Sequence, residues 1–232
     1  MPRPQLTPVD VPILMYHRVG APLGPPITVA LTVPTAVFAA QMRWLHRAGY
    51  QAITQEQLYA ALELHGRLPR RPIVITFDDG YRDVLWNAAP VLYRLRMPAT
   101  AYVITARASG RDPSFLTWPE LRRLAADGFE IGSHTVHHVE LTTVSPEAAW
   151  QELTASRRAL ERGLGRPVLW FSYPAGRFDH AVEQLVGKAG YLLAVTTRPG
   201  ALQAQPLALH RYEVLDSTGV SGLKALLASK NR

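Results

Sequence analysis

The 232-residue chain contains no cysteine. Disulfides and thiolate ligands are thereby excluded, so any transition-metal site has to be built from His, Asp, Glu and water. Also missing is an apolar run of the roughly 18 residues that a membrane-spanning helix needs. The first ten residues, MPRPQLTPVD, lack the apolar core of a secretory leader. On that ground the chain is expected in the cytoplasm if it is full length, and outside it if a leader has been removed. Acidic residues are the scarcer sign: 18 Asp and Glu against 25 Lys and Arg give a formal charge of +7, carried mainly by arginine. A basic surface can meet an anionic glycan, a membrane or a nucleic acid. No nucleic-acid-binding motif accompanies it, and a solvated basic surface is the simpler reading.

What is present is enough apolar material for one sizeable core, with 47% of residues hydrophobic and 19% charged. Short β-branched runs at 11–16, 73–77, 100–105, 129–133, 168–172, 192–196 and 209–214 read as strands. Amphipathic stretches with recognisable starts lie between them. Thr54 with Gln57, and Thr117 with Glu120, fit capping boxes, while Ser145-Pro146-Glu147 opens a long helix ending near Gly163. Phe38, Met42 and Leu45 form an apolar stripe on an earlier helix, and 20–26 reads as a loop. Strands alternating with helices imply parallel pairing, and seven or eight such units favour a barrel over an open sheet. We therefore expect an α/β chain, a distorted (β/α)7-8 barrel, with a frayed segment at 1–10 and one domain over 11–232. The last few residues are expected to fray as well. A monomer is expected. Barrels of this kind carry their chemistry on loops after the C-terminal ends of strands.

Three segments satisfy that placement. In Ile73-Val74-Ile75-Thr76-Phe77-Asp78-Asp79-Gly80, two adjacent carboxylates follow an apolar strand. Both want to stay ionised, a conflict that a metal resolves by neutralising one and leaving the other free as a base. A solvent-exposed Asp-Asp-Gly turn is the competing reading. In Glu130-Ile131-Gly132-Ser133-His134-Thr135-Val136-His137-His138, His134 and His138 share a face if the backbone coils there. Two imidazoles and one carboxylate make a facial set suited to a water-activating ion such as Zn²⁺, with Co²⁺ or Ni²⁺ as alternatives. Glu130 is either a partner supporting that set or a surface residue. In Trp170-Phe171-Ser172-Tyr173-Pro174-Ala175-Gly176-Arg177-Phe178-Asp179, the strand runs into a rigid turn whose N–H groups can face the barrel mouth. Asp179 is placed to cap the helix that follows.

Together these segments resemble the polysaccharide deacetylase family, carbohydrate esterase family 4. Thr76–Gly80 matches its Thr-Phe-Asp-Asp-Gly motif at every position, and His134, Thr135 and His138 match His-Ser/Thr-x-x-His. The resemblance implies a deacetylase barrel acting on an N-acetylated glycan, with one divalent ion held by Asp79, His134 and His138 and with Asp78 as base. His137 falls at a non-ligand position. The third motif departs from the family's usual form: Ser172 stands where an arginine commonly steadies the base, and Ala175 where a tyrosine is frequent. It is similar instead to the poly-β-1,6-N-acetylglucosamine deacetylase branch, in which an oxyanion donor would be the backbone N–H at Ala175.

That branch carries its acid-bearing strand at the front of the chain, which makes His17, after Pro12-Ile13-Leu14-Met15-Tyr16, the favoured general acid over His210. Arg211 is the candidate to replace the missing arginine, with Arg177 and Arg18 as alternatives. His46, His65 and His180 read as surface residues. Trp118, Trp170, Tyr16 and Tyr173 could stack on sugar rings, though aromatics beside strands are more often core. Two rival functions are a non-catalytic glycan-binding module on a degenerate barrel and a deacylase of another acylated sugar.

Overall fold

The structure, a computed structural model, describes residues 7–228. Its central sheet has eight short parallel strands: β1 (Ile13–Tyr16), β2 (Gln51–Ala52), β3 (Pro72–Phe77), β4 (Thr100–Val103), β5 (Glu130–Ser133), β6 (Trp170–Ser172), β7 (Leu193–Val195) and β8 (Tyr212–Glu213). Their lateral order is β7-β6-β5-β4-β3-β1-β8, and β2 is added alongside the start of β3. Leu209 bridges to Val195 in β7, while Tyr212 and Glu213 pair with Leu14 and Met15 in β1. One stretch, 209–214, therefore touches both edges and curls the sheet into a barrel. The N-terminal strand β1 lies between β3 and β8, as the permuted arrangement requires.

β1 and the body of β3 are apolar on consecutive residues and buried on both faces, the pattern of strands covered inside and out. Helices supply the outer cover. The Thr54 and Thr117 capping boxes both form, and the Ser145 hydroxyl accepts the Ala148 N–H to start the helix Pro146–Leu164. That helix runs past Gly163 and ends at Gly165, which takes the left-handed conformation with φ 69°. Gly163 is needed inside it for another reason: a Cβ there would lie 2.5 Å from the Trp118 ring. Trp118 is thus a packing residue, as are the buried Tyr16, Trp170 and Tyr173.

Two apolar clusters form. The larger joins the outer face of the strands to helices through Phe38, Met42, Leu45, Leu153 and Leu160. The smaller fills the barrel: Ile13, Val74, Tyr102, Trp170, Leu193 and Leu209 from the wall meet Leu58 and Leu62 from the helix Gln55–Glu63. That helix plugs the lower end. The expected frayed segment is partly ordered, because Val9–Asp10 pairs antiparallel with Leu202–Gln203. Residues 1–6 of that segment, and 229–232 at the other end, lie outside the described residues. The 20–26 loop is as expected except that Pro26 already begins a short helix, Pro26–Ala30. No helix among the described residues is long and apolar enough to cross a membrane.

Candidate active site and metal centre

Period-two alternation along the strands decides which side chains enter the barrel. Val74 faces inward, so Thr76 and Asp78 follow it on the same side. The same count carries Trp170 to Ser172, Leu209 to Arg211, Gly132 to His134 and Ile13 to His17. Five separate chain segments thereby deliver polar groups to the upper end of a barrel whose lower end is apolar. Gly132 is required beneath them, since a Cβ there would stand 2.4 Å from the Tyr102 ring and 2.9 Å from the Trp170 carbonyl.

Asp79, His134 and His138 each offer one ligand atom, all within 4.8 Å of one another. Asp79 Oδ1 lies 3.5 Å from His134 Nε2 and 3.7 Å from His138 Nε2. Ligands about 2.0–2.2 Å from one tetrahedral ion stand roughly 3.3–3.6 Å apart, so the set fits a divalent cation. His134 Nδ1 lies 2.8 Å from the Ser172 carbonyl; donation to that oxygen leaves Nε2 as the lone-pair atom. Burial lowers the His134 pKa, against the opposing pull of Asp78 and Asp79, and so favours the neutral, ligating form.

The backbone is bent to achieve this. Asp79, Thr135, His138 and Ala175 all have positive φ, between 53° and 72°. Each such non-glycine residue costs on the order of 1–2 kcal/mol. A tight turn presents Asp79 away from Asp78, and the Thr135 hydroxyl accepts the His138 N–H at 2.9 Å to close the histidine turn.

Asp78 is separated from the ligand set in environment as well as direction. It is 3% exposed and receives a two-pronged clamp from Arg211, Nη1 to Oδ1 at 2.8 Å and Nη2 to Oδ2 at 2.7 Å. Arg211, itself 1% exposed, also donates to the Thr196 carbonyl at 2.7 Å and to the hydroxyls of Thr76 and Ser172. Its guanidinium lies over the Tyr102 ring, and Tyr102 in turn is held by Gln55 of the plug helix. Ser172, at the position where the family commonly has arginine, donates to Asp78 Oδ2 at 3.2 Å. Burial alone would raise the Asp78 pKa. The charge and hydrogen bonds of Arg211, aided by His134 and His17, reverse that and hold the carboxyl well below the usual range.

The other candidates sort by what they touch. Arg18 is engaged by Asp83 at 2.8 Å and Arg177 by Glu140 at 3.2 Å. His17 lies near enough to Asp78 to lower its pKa, and its buried Nδ1 has no hydrogen-bond partner among the described residues. His210 sits beside Gly200 and Arg198, with its backbone N–H and carbonyl both held by Gln203. Ala175 lies in the turn Pro174–Gly176, whose own bonds run from Gly176 N–H to Tyr173 and from Arg177 N–H to Pro174. Stacking of Tyr173 on Phe178 at 4.8 Å, and a bond from Tyr173 to the Leu207 carbonyl, fix that turn, and Asp179 caps the next helix through Val182 N–H. His46, His65 and His180 are exposed.

Glu130 belongs to neither expected class. It sits at the start of β5, where its carboxylate accepts the N–H groups of Gln55 and Glu56 and the Thr100 hydroxyl. It caps the plug helix at the barrel's lower end, far along the strand from the histidines. His137 stands apart from the candidate ligand set, its Nδ1 lying 2.7 Å from Glu152.

Comparison with known proteins bears on the family and the fold. The polysaccharide deacetylase family profile matches residues 65–194. The chain is 34% identical over 217 residues to the Bacillus subtilis protein YxkH, which carries a polysaccharide deacetylase name, covering 93% of this chain and 74% of that one. It is 25% identical over 172 residues to a Staphylococcus aureus poly-β-1,6-N-acetyl-D-glucosamine N-deacetylase, covering 68% of this chain and 59% of the staphylococcal enzyme. Among solved structures, the Streptococcus pyogenes deacetylase PplD in complex with acetate superposes with a TM-score of 0.87 at 28% identity, over 95% of this chain and 99% of that one.

Proposed function

We propose, from the premise that the chain belongs to the polysaccharide deacetylase family, that it is a metal-dependent hydrolase removing N-acetyl groups from an N-acetylglucosamine-containing glycan. One observation carries this reading: a buried, arginine-clamped Asp78 stands beside a separate Asp79–His134–His138 set that fits one divalent ion. A binding module has no use for two adjacent carboxylates held in such different states. A missing motif arginine would mark a degenerate barrel, but Arg211, just ahead of β8, provides a guanidinium on the same carboxylate.

A divalent ion bound there, with zinc the first choice, would supply Lewis-acid polarisation of the acetyl carbonyl and a lowered pKa for water. Asp78 accepts the proton of the attacking water, and Arg211 keeps that carboxylate ionised and fixed in direction. The Ala175 N–H faces the acetyl oxygen where negative charge builds. His17, protonated, delivers a proton to the departing sugar amine. β-1,6-Linked N-acetylglucosamine is the first substrate to try, on the branch resemblance of the Tyr173–Asp179 turn and the staphylococcal relative.

The test is acetate release from a panel of N-acetylated oligosaccharides with defined metals added. Metal-stimulated release is expected from the wild-type protein. Asp78→Asn should abolish turnover while metal stays bound. Release from none of the panel would favour the binding module, and near-normal turnover by Asp78→Asn would remove Asp78 as base.

A further inference from the structure

The turn from His134 to His138 holds two left-handed residues, Thr135 and His138, and its geometry sets where the third ligand points. Inside the turn, Thr135 binds the His138 N–H. From one side, Thr105 and Ala106 donate their N–H groups to the carbonyls of Thr135 and Val136. From the other side a single carboxylate does more. Glu152, in the second turn of the helix Pro146–Leu164, accepts two consecutive amides with one oxygen: Val136 N–H at 2.8 Å and His137 N–H at 3.0 Å from Oε2. Its other oxygen lies 2.7 Å from His137 Nδ1. Successive N–H groups converging on one anion make a concave backbone nest, which a carboxylate fills well. One helical turn further on, Ser156 bonds Ser133, whose hydroxyl in turn accepts the Thr135 N–H. The helix therefore grips both ends of the ligand turn with residues on one face.

We propose that Glu152 is a positioning residue for the metal: by holding the Val136 and His137 amides it fixes the turn that presents His138, and so sets the affinity for the divalent ion. This rests on the metal reading of the Asp79–His134–His138 set. The amide contacts carry the effect, and the His137 side chain is an accessory to them. Groups that hold ligands in place commonly change metal affinity by about 10–100-fold when removed.

The experiment is competition for Zn²⁺ or Co²⁺ between the purified protein and a chelator of known affinity, with thermal unfolding of the metal-free protein measured in parallel. Glu152→Ala is expected to weaken metal binding by about 10–100-fold. Glu152→Gln, which keeps one acceptor oxygen for the amides, should lose less. His137→Ala should stay within about threefold of wild type, because the backbone N–H groups remain. At saturating metal, Glu152→Ala should recover acetate release. The proposal is overturned if Glu152→Ala and Glu152→Gln fold and bind the ion as tightly as wild type, or if His137→Ala weakens binding as much as Glu152→Ala. A wild-type protein that binds no divalent ion would instead overturn the metal reading itself. If Glu152→Ala fails to fold, the Glu152→Gln and His137→Ala pair decides the question.

Discussion

Replacing Arg211 with methionine keeps most of the side chain's length and removes its charge and every donor. Asp78 would lose both prongs of its clamp, at 2.8 and 2.7 Å, and retain only the Ser172 hydroxyl at 3.2 Å. The Thr196 carbonyl would lose its guanidinium donor as well. Removing one partner of a buried ion pair costs about 3–5 kcal/mol, because the other charge is left uncompensated. For a chain of this size each kcal/mol moves the midpoint about 2–4 °C, so Tm should fall by roughly 6–20 °C at neutral pH.

The pH dependence identifies the cause. In the wild type the Asp78 pKa lies below its unfolded value of about 3.9, so its contribution is in place above that pH and is lost as pH falls through the lower folded value. In the variant, burial loses its main opponent, Arg211, and the pKa rises. The resulting penalty is present at neutral pH and fades as pH falls towards about 4. The stability gap between the two proteins should therefore be widest near pH 7 and narrow on acidification. Urea unfolding of metal-free protein across that range measures it directly. Catalysis should follow, with the acidic limb of the pH–rate profile shifted to higher pH. Arg211→Lys should restore charge without the fork and fall between the two. A gap that does not change with pH, together with an unchanged rate profile, would refute the assignment of Arg211 to Asp78.

Three further outcomes follow from the same geometry. His17→Ala should reduce release from an N-acetylglycan by about 10²–10⁴-fold, yet affect an aryl acetate much less, since a good leaving group needs no proton. His210→Ala should spare both substrates; the reverse pattern would transfer the acid role to His210. Gly132→Ala should destabilise the fold by about 1–3 kcal/mol or more, because its Cβ meets the Tyr102 ring and the Trp170 carbonyl, and a melting curve superimposable on wild type would contradict that packing. Glu130→Ala should destabilise the fold by about 1 kcal/mol through loss of the helix cap, seen as a lower Tm, while leaving metal affinity unchanged. A weakened metal would return Glu130 to the site.

Much of the fold was legible because local signals and burial agree. The apolar runs of β1 and β3, the two capping boxes and the Ser145 start all appear where the sequence places them. The motif residues were legible because Asp78, Asp79 and His134 follow strands directly and His138 completes a spaced histidine pair. Glu130 was misread because a carboxylate at a strand's beginning looks the same in sequence as one near its end. Only the tertiary fold shows the plug helix arriving beneath it with two open N–H groups. Arg211 could be nominated but not secured, since its partner is 133 residues away in the chain. Glu152 gave no signal, being one of three glutamates on an amphipathic helix.

The inward count from the strands turns these scattered residues into a single design. Asp78, Ser172 and Arg211 lie in phase with the apolar residues Val74, Trp170 and Leu209, so the buried charge pair replaces one further layer of barrel packing. Beneath it the Arg211 guanidinium rests on Tyr102, and Gly132 makes room for that ring. A hydrophobic layer in the same place would be at least as stable, because burying an ion pair gains little over apolar packing. What the charged layer provides, on the proposed mechanism, is a carboxylate that rests ionised near neutral pH, ready to accept a proton, and is held in one direction by the Arg211 fork. Of the six left-handed non-glycine residues among those described, His65 and Arg96 follow helices, and the other four lie where the candidate ligands or the Ala175 turn leave the strands. Directional rigidity for the proposed base thus comes from the barrel interior, and that of the proposed ligand His138 from a turn tied to the helix Pro146–Leu164. Damage to the first should appear as a change in rate and pH dependence, and damage to the second as a change in metal affinity.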